Sequence, residues 1–249
     1  MSRSVVYAGT DRCGRCLLPP RWCVCRGLTE VSCPMAVDVL MHQREQWRPT
    51  STGKLVGRVV AGSRTHVFLK DRSLDPAELL RSDRKLWVLH PKGELLEAGS
   101  ELAHEVAKGQ VLLLDGSWGE AGVMYRAVEG WGRPVSIRLE GRSRYWLREQ
   151  QGEGQHSTVE ALLGLFGVLG MGEAEIQLRL NFELHVYASL RARGHKVLAA
   201  EFLESSPIAA AMPEILEALH ERRPNESSIP GFRAASWNGG SDTRPAGDV

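Results

Sequence analysis

The sequence predicts an α/β domain on a mostly parallel sheet, with a small cysteine-rich module in front of it. Three observations carry that reading. From residue 34 onward, short Val- and Leu-rich runs alternate with capped helical segments, the pattern of strands joined by helical crossovers. With 249 residues, 43% of them hydrophobic and 24% charged, the chain can bury a full core without disulfide or metal support. Ahead of the first run, Cys13, Cys16, Cys23 and Cys25 crowd into a segment with little apolar periodicity.

Taken in order, residues 1–33 read as the module, 34–222 as the α/β domain and 223–249 as a tail. Residues 34–41 form a buried strand, and residues 66–69, 85–90, 110–115 and 135–139 are further short strands. Asp75-Pro76-Ala77-Glu78 is a helix start, with proline at the first helical position and glutamate three residues after the cap. Ser117 with Glu120, and Ser157 with Glu160, repeat the Ser-x-x-Glu capping box. Behind Ser157, Val159, Leu162, Leu163, Phe166 and Leu169 follow helical spacing. A second long helix is predicted over 173–193, stopping at Gly194. The tail is rich in Gly, Ser, Pro, Asn and charge, a composition that predicts disorder.

Charge and hydropathy exclude several classes. Thirty-one Lys and Arg against 30 Asp and Glu rule out a polybasic nucleic-acid binder but not a local basic patch. Residues 1–26 hold five arginines against one aspartate, and 142–148 hold three with no acid. No apolar run reaches the ~18 residues of a membrane span. Residues 1–11 show no apolar signal segment, so a cytoplasmic protein without membrane contact is expected.

Four constellations could carry chemistry. The Cys13-x2-Cys16-x6-Cys23-x-Cys25 set supplies the four thiolates of a closed structural zinc site, and Arg12, Arg15, Arg21 and Arg26 would offset its excess negative charge. A reduced or redox-active cluster is the alternative; Cys33 lies outside the spacing and reads as a small buried hydrophobe. After the first strand, residues 42–55 form a polar loop where ligands of α/β sheets bind. Its Thr52-Gly53-Lys54 is no P-loop, because Arg48 and Leu55 stand where glycine and a hydroxyl residue are required. Asp115, at the end of the strand Leu112-Leu113-Leu114, is followed by Gly116 and the helix cap Ser117. It is either a ligand-facing carboxylate or a turn cap. Residues 141–148 mix Arg142, Arg144 and Arg148 with Tyr145 and Trp146, a composition that suits unpaired RNA but also a solvated face.

These segments together resemble the DTW-domain family of tRNA-uridine aminocarboxypropyltransferases. The likeness covers roughly residues 13–195: the four cysteines, the block from His42 through Arg48 to Thr52-Gly53, Asp115-Gly116-Ser117-Trp118, and Leu147-Arg148 leading to Ser157-Thr158 and Glu160. Ser117 stands where the family usually has threonine, and Gln43, Ser51 and Gly119 depart from common residues. The resemblance implies a SPOUT-like knotted α/β core and S-adenosylmethionine as co-substrate. The 3-amino-3-carboxypropyl group would pass to N3 of a tRNA uridine, releasing methylthioadenosine. It implies Asp115 as the catalytic group and Thr52, Gly53, Ser117, Trp118, Arg148, Ser157, Thr158 and Glu160 around the co-substrate. Arg44, Arg142 and Arg144 would contact RNA. Methyl transfer to RNA, modification of ribosomal RNA, and a non-catalytic zinc-ribbon RNA-binding protein remain as alternatives.

Overall fold

The computed structural model describes residues 12–148 and 155–221. The predicted tail 223–249 and Gly152-Glu153-Gly154, ahead of the second capping box, lie outside the described residues. Five strands form one parallel sheet: β1 (Ala36–His42), β2 (Arg64–Phe68), β3 (Leu86–Leu95), β4 (Gln110–Asp115) and β5 (Arg133–Ser136), in the order β2-β1-β4-β3-β5. Parallel neighbours need crossovers, which helices supply. They are α1 (Thr52–Val59), α2 (Pro76–Leu79), α3 (Glu101–Lys108) and α4 (Trp118–Ala127). From residue 158 to 221 helices follow one another: α5 (Thr158–Val168), α6 (Gly172–Ala192), α7 (Lys196–Glu204), α8 (Ile208–Ala211) and α9 (Pro213–Glu221).

The two-residue period of the strands divides the core. Val37, Val39 and Met41 of β1 and Val111 and Leu113 of β4 pack in one cluster with α1, α5 and α6. Leu40 and Leu112 turn to the other face, against Leu79 of α2 and Met124 of α4. The same alternation places Asp115 on the α1–α5 face. At the opposite end of the sheet, fully buried Asp38 accepts from Arg64, Arg81 and Gln110. Burial alone would raise its pKa, but the hydrogen bonds from Arg81 and Arg64 leave it lowered.

Only β4 keeps its predicted bounds; β1 and β2 shift by one or two residues, and β3 and β5 differ more. β3 runs on to Leu95, past the Pro91 and Gly93 that signal a stop, because a register shift between Leu89 and Glu94 lets it resume pairing with β5. β5 ends at Ser136. The long helix stops as predicted, at Gly194 with φ +81°, whose N–H donates to the Arg191 carbonyl.

The cysteine segment joins the larger cluster through Cys13, Cys16, Leu18, Trp22 and Val24. Arg191 of α6 covers the Trp22 ring, 4.8 Å from its centre. Val31 bridges in parallel to Val60. The Asn181 amide pairs with the Thr29 backbone at both N–H and C=O, 2.9 Å each. No described helix is long and apolar enough to cross a membrane.

Candidate functional site

From β1 the chain crosses outward to β2 and from β4 outward to β5, so the carboxyl ends of β1 and β4 flank the point where the winding reverses. Open α/β sheets bind ligands there. Asp115 stands at that point, paired in register with Met41. Its carboxylate, 4% exposed, draws three segments together. Ser51 Oγ donates to Oδ2 at 2.8 Å, while Gly53 N–H at 3.2 Å and Thr158 Oγ1 at 2.6 Å donate to Oδ1. Ser51 also caps α1, and Thr158 opens α5, so two positive helix N-termini converge on the one anion. A carboxylate has about four acceptor positions. Three are filled, and Oδ2 retains one.

A second carboxylate fixes the neighbouring loop. Buried Glu160 completes the α5 capping box by accepting from Ser157 N–H at 2.7 Å, and also accepts from Ser143 Oγ at 2.9 Å and Arg144 N–H at 2.6 Å. Tyr145 OH donates to the Thr50 carbonyl at 2.6 Å, and Arg193 Nη1 donates to the Leu147 carbonyl at 2.9 Å. The 143–148 loop is thereby held against the α1 loop. Burial raises the Tyr145 pKa.

The 3-10 turn Gln43–Trp47 leaves the end of β1. His42 Nδ1 lies 3.1 Å from Glu120 Oε1, and Arg44 Nη1 lies 3.6 Å from the same oxygen. Burial would raise the Glu120 pKa, but Ser117 N–H and OH, with His42 and Arg44 beyond, lower it. Glu45 is buried against Arg48, and burial and then the Asp115 charge push its pKa up. Lys54 is pulled down to about 8 by burial and by Arg58, against the attraction of Asp115 and Glu45.

Beside Asp115 a cleft of about 290 Å³ opens at the carboxyl ends of β3, β4 and β5. Its walls are largely apolar, from Leu89, Pro91, Leu113, Ile137 and Leu139, with Trp118 at the rim and Arg148, His156, Ser157 and Thr158 as polar groups. Arg148 lies 5.2 Å from the centre of the Tyr145 ring. His156 Nε2 is buried and has no hydrogen-bond partner among the described residues. An apolar cleft with one orphaned nitrogen and a guanidinium suits a ligand with both apolar and polar parts.

The four cysteines are buried, with Cys13–Cys25 sulfurs 3.5 Å apart, Cys16–Cys23 3.6 Å, and all four within 4.8 Å. A tetrahedral zinc with ~2.3 Å bonds separates its sulfurs by about 3.8 Å, so the set could hold such an ion. Hydrogen bonds from Cys23 and Cys25 hold the Cys16 thiol far below its ordinary range, and those same bonds to Cys16 push Cys23 and Cys25 up. Arg58 of α1, outside the predicted arginine set, donates to the Cys16 carbonyl at 3.4 Å. Burial lowers its pKa while the charges of Cys16, Cys25 and Cys13 oppose that shift.

Among the residues singled out from the sequence, Gly53 and Thr158 both bond Asp115, and Trp118, Arg148, Ser157 and Thr158 line the cleft. Asp115 itself does not line it, standing behind Thr158, nor do Thr52, buried at the start of α1, Gly53, Ser117 and Glu160. Ser117 spends its hydroxyl on the Glu120 carboxylate, and Glu160 positions the 143–145 loop. Arg44 and Arg142 are exposed. Arg144 is engaged within the fold: its guanidinium bonds Glu183, Ser205 and the Phe202 carbonyl and lies 4.1 Å from the Phe202 ring centre. Tyr145 is buried, and Trp146, partly exposed, packs edge-on to Phe202. Ser51, His156 and Arg193 were not singled out; Ser51 has a sequence signal, a hydroxyl residue directly ahead of the Thr52-Gly53 helix start.

No solved structure matches this chain. The DTW domain model matches residues 10–190, a span that holds the cysteine set, Asp115 and every described cleft residue, and the chain therefore belongs to the DTW-domain family.

Proposed function

We propose that the protein transfers the 3-amino-3-carboxypropyl group of S-adenosylmethionine to N3 of a uridine in tRNA. The observation that carries this reading is the apolar cleft set beside a buried carboxylate with one acceptor position left. S-adenosylmethionine supplies a sulfonium whose longer chain can be attacked, with methylthioadenosine leaving as the C–S bond breaks. Asp115 Oδ2 receives or orients the uridine N3 proton, so that nitrogen gains the electron pair it needs. Arg148 binds the donor's carboxylate in bidentate fashion, and His156 Nε2 takes a polar atom of the same molecule. The apolar walls hold the methyl aside, which selects the carbon attacked by orientation alone.

The reading extends to the SPOUT-like knotted core of the resemblance, supported by the all-parallel sheet, and to a structural zinc on Cys13, Cys16, Cys23 and Cys25. A metal-binding rather than disulfide role for that cluster fits a reducing, cytoplasmic location. Incubation with unmodified tRNA and S-adenosylmethionine, followed by nucleoside mass spectrometry, tests the function. An aminocarboxypropyl adduct is expected with wild type and none with Asp115→Asn, which still binds the donor in a calorimetric titration. A methyl adduct, or normal turnover by that variant, overturns the assignment.

A further inference from the structure

The turn after β1 carries a residue that the fold does not use. Trp47 is 83% exposed, more than any other large apolar side chain among the described residues. Arg44 and Arg48 flank it with side chains 73% and 54% exposed. The one acid between residues 42 and 54 is Glu45, whose carboxylate is buried against Arg48. The turn therefore exposes an indole with one exposed arginine three residues before it and another directly after it, Arg44 also reaching Glu120 and Arg48 reaching Glu45. It is also held in shape: Lys54 Nζ donates to the carbonyls of Gln46 and Arg48, and His42 caps the first residues. A backbone already held in place loses little further freedom when its exposed ring stacks on a ligand. Through Arg44 and Glu120 the turn abuts the first turn of α4, whose Trp118 is 55% exposed at the cleft.

We propose that Trp47 is a stacking platform for an unpaired base of single-stranded RNA, with Arg44 and Arg48 taking flanking phosphates. The proposal rests on the RNA reading above and narrows it: the substrate is bound as looped, unstacked RNA. In a duplex the base faces are covered by their neighbours and uridine N3 is engaged in pairing, so neither the platform nor the reaction could use it. The two exposed arginines of the turn favour RNA over an apolar protein partner.

The test uses the full-length protein, a fluorescein-labelled oligouridylate of about a dozen nucleotides, and an RNA duplex of equal length, with anisotropy titrations at two salt concentrations. Trp47→Ala should weaken oligouridylate binding about 5- to 150-fold, the range of one base–aromatic stack. Its salt dependence and its duplex affinity should match wild type, and Trp47→Phe should recover most of the loss. Arg48→Ala should instead flatten the salt dependence. Because Trp47 is exposed, equal melting temperatures are expected for wild type, Trp47→Ala and Trp47→Phe, whereas Arg48→Ala removes the partner of buried Glu45 and should melt lower.

Wild-type affinity in Trp47→Ala, or an equal loss on duplex, overturns the proposal. So does a wild-type dimer that Trp47→Ala converts to a monomer with RNA binding unchanged, which would make the ring an interface between copies. If the variants behave as expected but the product is methylated, the transfer reading falls and the platform stands. Aminocarboxypropyl transfer with normal Trp47→Ala binding leaves the reading and removes the platform. Absence of RNA binding by wild type removes both.

Discussion

Gly53 sits where no other residue fits without displacing Asp115. A Cβ there would lie 2.4 Å from the Asp115 Cγ. Alanine is the better helix former, so propensity alone favours Gly53→Ala, yet the overlap should cost about 1–3 kcal/mol in urea unfolding. His185 of α6 gives a second prediction. It is fully buried, both ring nitrogens lack partners among the described residues, and burial, with Arg58 next, lowers its pKa to about 4. An unfolded histidine titrates near 6.5. Between about pH 6.5 and 4 the unfolded chain binds the extra proton, so stability falls as pH falls through that window and is unaffected above it. His185→Leu should reduce this acid-side slope, by up to about 1.4 kcal/mol per pH unit, in melts compared across that range. At this scale the sequence was legible where spacing or strand position marks a residue, as with the cysteines and Asp115. Arg58, Arg193 and His156 were not, because their roles arise from contacts with distant segments or from a cleft wall that periodicity does not encode.

α5 shows what one capped helix start can organise. Its capping box was readable as Ser157 and Glu160, but the box is half of what Glu160 does: the same carboxylate gathers Ser143 and the Arg144 N–H. Glu160→Ala leaves those buried donors without an acceptor and should cost about 2–4 kcal/mol. Hydrogen exchange should rise first in 143–148, whereas Ser157→Ala should cost only about 1 kcal/mol. In β1, Asp38→Ala strands two guanidinium groups at the sheet's amino end, with an expected loss of about 3–5 kcal/mol by chemical denaturation. Strand positions were legible from Val- and Leu-rich runs, and β3 was cut short because Pro91 and Gly93 do end regular pairing. Only β5, itself short, shows that pairing resumes beyond the shift.

At the scale of the molecule, the cysteine segment is legible as a zinc ligand set, but its burial in the common core is not, because a string of arginines and glycines conceals how Trp22 and Val24 are covered. One zinc per chain is expected by elemental analysis, and Cys16→Ser should abolish it. Chelation should lower the melting temperature of the whole domain in one transition, since the ligands share the core cluster with α5 and α6. The pairing of Thr29 with Asn181 carries a consequence for biosynthesis. The two residues are 152 positions apart, and Asp115 must wait for Thr158 before its third donor exists. Long-range contacts of this kind form slowly. A chain emerging from the ribosome could thus not complete the Asp115 site until α5 has been synthesised, nor seat the cysteine segment until α6 follows. Products truncated before α5 would lack the Thr158 donor to Asp115 and the core that buries the cysteines.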